Sequence, residues 1–201
     1  MLDQFRNFNY KKYITKNPFY EKLGERKPKK IEKIVYDPFF SVDPKNQEPF
    51  QAEYDDLARL HYLVRKRKVT TILEFGVGKS TVVFADALLR NKKDYERKIS
   101  DLRCSNPWQC YSIDNNKEWI SKCKKLIPKE FFNTKISHLH LSNLHTDTFQ
   151  GRVCTFFDSI PNISPDLIYL DGPDQFSPEG DIRGISTRHP DRMPMSGDIL
   201  I

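Results

Sequence analysis

The chain has 201 residues, enough to bury one substantial core and too few for two large domains. Hydrophobic residues make up 38% and charged residues 30%, and no apolar run approaches the roughly 18 residues of a membrane span, which excludes low-complexity and membrane-spanning classes. The net charge of +6 is an N-terminal property: residues 1–35 hold ten Lys or Arg against four Asp or Glu, and the remainder balances at 23 against 23.

The opening MLDQFRNFNYKKYITK has no uninterrupted apolar stretch of the kind a secretory signal needs, so a cytoplasmic protein is expected. The four cysteines, Cys104, Cys110, Cys123 and Cys154, form no C-x-x-C pair and read as free thiols. Residues 1–50 interleave lysines with Phe, Tyr and Pro without a sustained period, and are expected to form a basic, aromatic arm ahead of a domain at 51–201. Such an arm either meets a polyanion such as nucleic acid or, the reading favoured here, docks its aromatics on the domain while the lysines stay in water.

From Glu53 to Lys68 the apolar positions Tyr54, Leu57, Ala58, Leu60, His61, Tyr62 and Val64 make one stripe of a helix that ends in a basic turn. VTTILEF follows, β-branched and apolar, as a buried strand. After a glycine turn, STVVFADALLRNK carries Val82, Val83, Ala85, Leu88 and Leu89 at helical spacing. Residues 92–108 read as a charged surface insertion. The grammar then repeats with strand QCYSI ending at Asp114, a helix in NNKEWISKCKKLI closed by Pro128, and strand candidates TKISHLHL and PDLIYLDG. Alternating strands and helices predict an α/β fold, a Rossmann-like three-layer sandwich with a mainly parallel sheet. Glu74, Asp114 and Asp171 then fall at the carboxyl ends of strands, where ligands of such sheets lie. Residues 172–198 have no period of their own and read as a long loop, a functional lid or disordered.

The turn in TILEFGVGKST decides between ligands. A phosphate loop requires G-x-x-x-x-G-K-[ST], and the position of its first glycine is occupied by Leu73. Glu74 would also set a carboxylate against phosphate oxygens. In the other reading Gly76 and Gly78 let the backbone approach a ligand, Ser80 or Thr81 caps the next helix, and the acidic residues suit a cationic group and ribose hydroxyls. A nicotinamide enzyme would expect a third glycine where Thr81 stands.

On LEFGVGKST, Asp114 and YLDGPD together, the chain resembles the class I S-adenosylmethionine-dependent methyltransferases, whose first motif is an acidic residue followed by G-x-G. The resemblance implies S-adenosylmethionine as cofactor. Gly76 and Gly78 would line its methionine part with Glu74 organising the amino group, and Val77, Ser80 and Thr81 would complete the turn. Asp114 and Asn115 would lie at the ribose, Asn143 near the adenine, and Asp171 beside the transferred methyl. Asp171 and Asp174 are the candidate catalytic residues, either as a general base toward the acceptor or as ligands of a divalent ion. The alternatives are a P-loop-like phosphotransferase or NTPase, and a noncatalytic α/β binding module.

The acceptor is open: a small molecule or glycan, anionic if Arg183, Arg188, His189 and Arg192 act as a cationic set, whereas the same residues also read as a solvated loop. No membrane partner is expected. His138 and His140, at i and i+2, could share a metal, but strand alternation accounts for them without one. Four strands can be placed where the family's sheet has seven, so the chain is expected to be incomplete at its C-terminus, with an exposed sheet edge that a homo-oligomer covers.

Overall fold

The computed structural model describes residues 8–23, 53–172, 175–189 and 195–200. The chain is an α/β protein built on a four-stranded parallel sheet in the order β3-β2-β1-β6. Its strands are β1 (Thr71–Phe75), β2 (Gln109–Asp114), β3 (Ser137–Leu141) and β6 (Leu167–Leu170). The helices are α1 (Tyr10–Lys16), α2 (Tyr54–Arg67), α3 (Lys79–Tyr95), α4 (Lys117–Leu126) and the short α5 (Lys129–Asn133). Every strand and helix expected from residue 53 to 141, and the strand at PDLIYLDG, is present within a few residues of its expected bounds.

Strand alternation divides the sheet into two faces. Ile72 and Cys110 point to one core with Val82, Val83, Phe84 and Leu88 of α3 and Cys123 of α4. Leu73, Phe75 and Ile113 point the other way, into a second core. Right-handed crossovers from β1 to β2 to β3 run along the sheet in one direction and keep α3 and α4 on one face. The return from β3 to β6 must cross by the opposite face, because β6 pairs with the far side of β1. The order therefore reverses between β1 and β6, and this is the switch point at which α/β sheets open a crevice.

The layer on that opposite face is a second sheet. β4 (Leu144–Phe149) and β5 (Arg152–Phe157) form an antiparallel hairpin, and β7 (Met195–Ser196) adds to β5 in parallel. Leu144 and Phe157 of the hairpin complete the second core, with the Phe157 ring stacked on Phe75 at 5.8 Å. Its two-residue turn, Gln150 and Gly151, has φ of 50° and 77°, the left-handed pair that matches strand twist. The segment read as a loop from 172 is joined to this sheet: Thr146 N–H donates to the Glu179 carbonyl at 2.7 Å, and Glu179 N–H to the Leu144 carbonyl at 2.8 Å. The described part of that segment is thus strand-paired in places rather than a free lid.

The described N-terminal stretch docks on the domain with its lysines in water, as favoured from the sequence, but as a helix and a turn rather than without a period. α1 and a 3₁₀ turn at Phe19–Leu23 bury Ile14, Phe19, Tyr20 and Leu23 on the helical layer, whereas Lys11, Lys12 and Lys16 are exposed. Seven residues are too few for a helical period to stand out. Residues 24–50 lie outside the described residues. Docking centres on His61, fully buried on α2: Tyr13 hydroxyl donates to its Nδ1 at 2.7 Å, its Nε2–H donates to Asp86 at 3.0 Å, and Phe19 stacks on the ring. Burial pushes His61 below its usual range and keeps it neutral. Burial alone would raise Asp86, but the hydrogen bond from His61 and the Arg90 guanidinium at 2.7 Å outweigh it and hold the carboxyl low.

Outside the hairpin layer, Ile168 and Leu170 of β6 stay 47% and 44% exposed, and the outer edge of β6 has no strand partner among the described residues. No helix among the described residues is long and apolar enough to cross a membrane.

Asp86→Ala is expected to cost about 2–4 kcal/mol, because it strands a buried imidazole N–H and removes the acceptor of Arg90. Urea unfolding followed by circular dichroism measures it, with Asp94→Ala, a solvent-facing change, expected to cost under about 1 kcal/mol.

Candidate functional site

At the carboxyl end of the sheet, the turn Gly76–Gly78 leaves β1 and enters α3. Gly76 has φ of 99°, and a Cβ there would sit 3.2 Å from the backbone of Asp171 and Gly172. Only glycine meets both conditions, so the turn and the end of β6 are in backbone contact because of this residue. Gly78 differs: its backbone is extended, and a Cβ would meet no heavy atom within 4 Å. Packing within the protein does not explain that glycine, and the face it presents is open to a ligand.

Glu74 lies directly beneath the turn with no exposed surface. Its Oε1 accepts from Ser80 Oγ at 2.5 Å, and its Oε2 accepts from Thr81 Oγ1 at 2.7 Å and Ser112 Oγ at 2.5 Å. Ser112 is its cross-strand partner on β2. Thr81 Oγ1 in turn accepts the Gly78 N–H at 3.1 Å, so one hydroxyl ties the turn to the carboxylate and caps α3. Burial pushes the Glu74 carboxyl up to about 7, against the three hydroxyl hydrogen bonds that favour its anion. Glu74, Ser80 and Thr81 therefore support the turn from inside, and a direct contact between the Glu74 carboxylate and a ligand amino group is not formed in this geometry.

Asp114 reaches the turn from β2. Its Oδ2 accepts the Val77 N–H at 3.2 Å and its Oδ1 the Asn116 N–H at 2.7 Å. Asn116, not Asp114, caps α4, accepting from the N–H groups of Glu118 and Trp119. Each Asp114 oxygen keeps a further lone pair for a hydroxyl donor. Burial raises its carboxyl, and the N–H groups of Asn116, Val77 and Asn115 oppose that rise. Asn115 thus joins the group through its backbone. Asn143 is exposed after β3, with its carbonyl accepting the Asp158 N–H at 3.0 Å, while the neighbouring Ser142 N–H donates to the Asp114 carbonyl.

Asp171 follows β6, its N–H bonded to the Phe75 carbonyl at 2.9 Å. Desolvation raises its carboxyl and a hydrogen bond from the Tyr169 hydroxyl lowers it. Its charge also raises Glu53, the residue before α2, after the larger effect of the Asp56 hydrogen bond, so α2 begins close to this crevice. Asp174 and Arg192 lie outside the described residues. Arg183, Arg188 and His189 are exposed on the outer segment. The two strand histidines turn to separate partners: His138 stacks on Tyr111 and bonds the Lys135 carbonyl, and His140 bonds Ser159.

The structure thus gathers Glu74, Gly76, Val77, Gly78, Ser80, Thr81, Asp114, Asn115 and Asp171 around one turn at the switch point. Ser112, Tyr169 and Glu53 were not singled out in the sequence. Ser112 was accessible to it in principle, since a serine two residues before the strand-ending aspartate shares a sheet face with the corresponding glutamate. No family model matches the chain, and no curated protein sequence matches it.

Gly76→Ala is expected to destabilise by about 1–3 kcal/mol, through its left-handed backbone and the 3.2 Å contacts, whereas Gly78→Ala is expected to fold with stability within about 0.5 kcal/mol of wild type. Thermal and urea unfolding check both. A second expectation concerns pH. The folded protein holds the Glu74 proton more tightly than the unfolded chain, whose ordinary value is 4.5. The unfolding free energy of wild type relative to Glu74→Gln should therefore fall as pH rises from 4.5 to about 7 and level off above, as read from denaturant titrations across that window.

Proposed function

We propose that the protein is an S-adenosylmethionine-dependent methyltransferase of unidentified acceptor, with the cofactor at the crevice between β1 and β6. The observation that carries this reading is the set of carboxylates around an open glycine turn: Asp114 and Asp171 flank it at the ends of β2 and β6, and Glu74 lies under it. A sulfonium and an ammonium are attracted to such a site, and a triphosphate is repelled by it. The short turn also presents too few N–H groups to wrap phosphates.

Residues present fit the cofactor in two respects. The open face at Gly78 leaves room for its methionine part. Asp114, already fixed by two backbone N–H groups, can accept a pair of ribose hydroxyls in a charge-assisted contact. The bound sulfonium would supply an activated methyl group, so this chain's own task is to position and orient rather than to generate a nucleophile or metal-bound reagent. Asp171, whose backbone lies beside the turn, is the carboxylate assigned here to receive a proton from the acceptor.

Titration calorimetry with S-adenosylhomocysteine and with Mg-ATP separates this reading from a phosphate loop. S-adenosylhomocysteine is expected to bind, with Asp114→Ala weakening it by about 10- to 100-fold, since a charge-assisted bidentate contact contributes on the order of 1.5–3 kcal/mol. Gly78→Ala should weaken it at least about tenfold while leaving the fold intact. Binding of Mg-ATP that depends on Lys79, without binding of S-adenosylhomocysteine, would overturn the proposal.

A further inference from the structure

Glu74 is a fully buried carboxyl held by three neutral hydroxyls. Among the described residues the groups facing it include Ser80 and Thr81 from α3, Ser112 and Cys110 from β2, Cys123 from α4, Tyr169 from β6 and Asp171 after it, none of these a cation. Both thiols and the Tyr169 hydroxyl are themselves raised by burial first, and the Glu74 charge adds to that rise, so they stay neutral. Its charge is compensated by three hydroxyl donors and the amino end of α3. Adding a proton weakens the acceptor for these hydroxyls, and one of the three, Thr81 Oγ1, also holds the Gly78 N–H. The carboxyl and the ligand-facing turn share a hydrogen bond.

A positive charge arriving at the turn changes this balance, since it stabilises the ionised carboxylate. We propose that Glu74 is a proton-binding site coupled to the crevice, which releases its proton when a cationic ligand binds at the glycine turn and retakes it when the ligand is neutral. The inference rests on the S-adenosylmethionine reading, and adds to it a means of distinguishing donor from product. The sulfonium donor carries a net positive charge, and the thioether left after methyl transfer does not. With Glu74 near its midpoint around pH 7, deprotonation favours the donor, and reprotonation accompanies exchange of the product. By the same reciprocity, donor affinity rises with pH and product affinity stays nearly flat. A one-unit downward shift of the carboxyl on binding corresponds to a rise of about fivefold in donor affinity from pH 6 to pH 8.

Infrared difference spectroscopy of the full chain reads the buried carboxyl directly. The C=O stretch of a protonated carboxyl should titrate near neutral pH, disappear in Glu74→Gln, and move to higher pH in Ser112→Ala, which lacks one donor to the anion. Ser112→Ala carries the test if Glu74→Gln fails to fold. At pH 6.5, S-adenosylmethionine should bleach this band, and S-adenosylhomocysteine should leave most of it. Calorimetry in buffers of different ionisation enthalpy should show net proton release with the first and little with the second. If no such band titrates, or proton release persists unchanged in Glu74→Gln, the coupling is overturned even though both cofactors bind. If the band titrates and assigns to Glu74 but neither cofactor produces heat, the methyltransferase reading fails and the ligand coupling falls with it.

Discussion

Beneath the glycine turn a carboxylate with no exposed surface is held by hydroxyls from two elements, and the local architecture follows from that arrangement. Ser80 and Thr81 come from the first turn of α3, and Ser112 comes from the neighbouring strand. Moving α3 along its axis, or sliding β2 by one residue against β1, would leave Glu74 buried without partners, a penalty of several kcal/mol. The carboxylate therefore sets strand register and helix position together, and the turn between them inherits its shape. Thr81 passes this constraint to the Gly78 N–H, and Asp114 adds a second anchor at Val77. The turn is consequently held in place from below and from the side, with its remaining face turned outward.

A second constraint is topological. Because β6 joins the sheet on the far side of β1, the carboxyl ends of β1 and β6 mark the switch point, the place where α/β sheets open a crevice for ligands. Gly76 brings the two strand ends into backbone contact at the bottom of this crevice. The face that the returning chain crosses is covered by the β4–β5 hairpin instead of by a helix. Phe157 on Phe75 and Leu144 beside Ile113 show that two inward residues of a hairpin satisfy the same apolar face that a helix would. The hairpin also gives the segment after β6 an edge to pair with, which is why Glu179 and β7 are strand-paired rather than looped out.

Far from the crevice, Tyr13, His61, Asp86 and Arg90 form a hydrogen-bonded line across α1, α2 and α3. The buried His61 Nδ1 finds its partner in the Tyr13 hydroxyl of the docked α1, so this line helps to specify where the N-terminal segment lies. The basic excess of that segment is compatible with this, since its lysines remain in water while Ile14 and Phe19 enter the core.

Local pattern determined much of this protein. Apolar period and β-branched runs located α2, β1, α3, β2, α4, β3 and β6, because each is long enough, and buried on enough of its surface, for periodicity to exceed noise. The parallel sheet and the clustering of Glu74, Asp114 and Asp171 at one end of it followed from the alternation of those elements. The hairpin was not anticipated: His145, Asp147 and Thr148 dilute the apolar pattern of β4, and no strand was placed between β3 and β6. α1 was too short to register. Tertiary structure alone decided which way Glu74 faces. A strand-ending acid reads the same in a sequence whether it greets a ligand or is turned inward. Here the inward direction is set by three hydroxyls that meet only when α3 and β2 are packed together, and contacts between elements distant along the chain leave no local pattern to read.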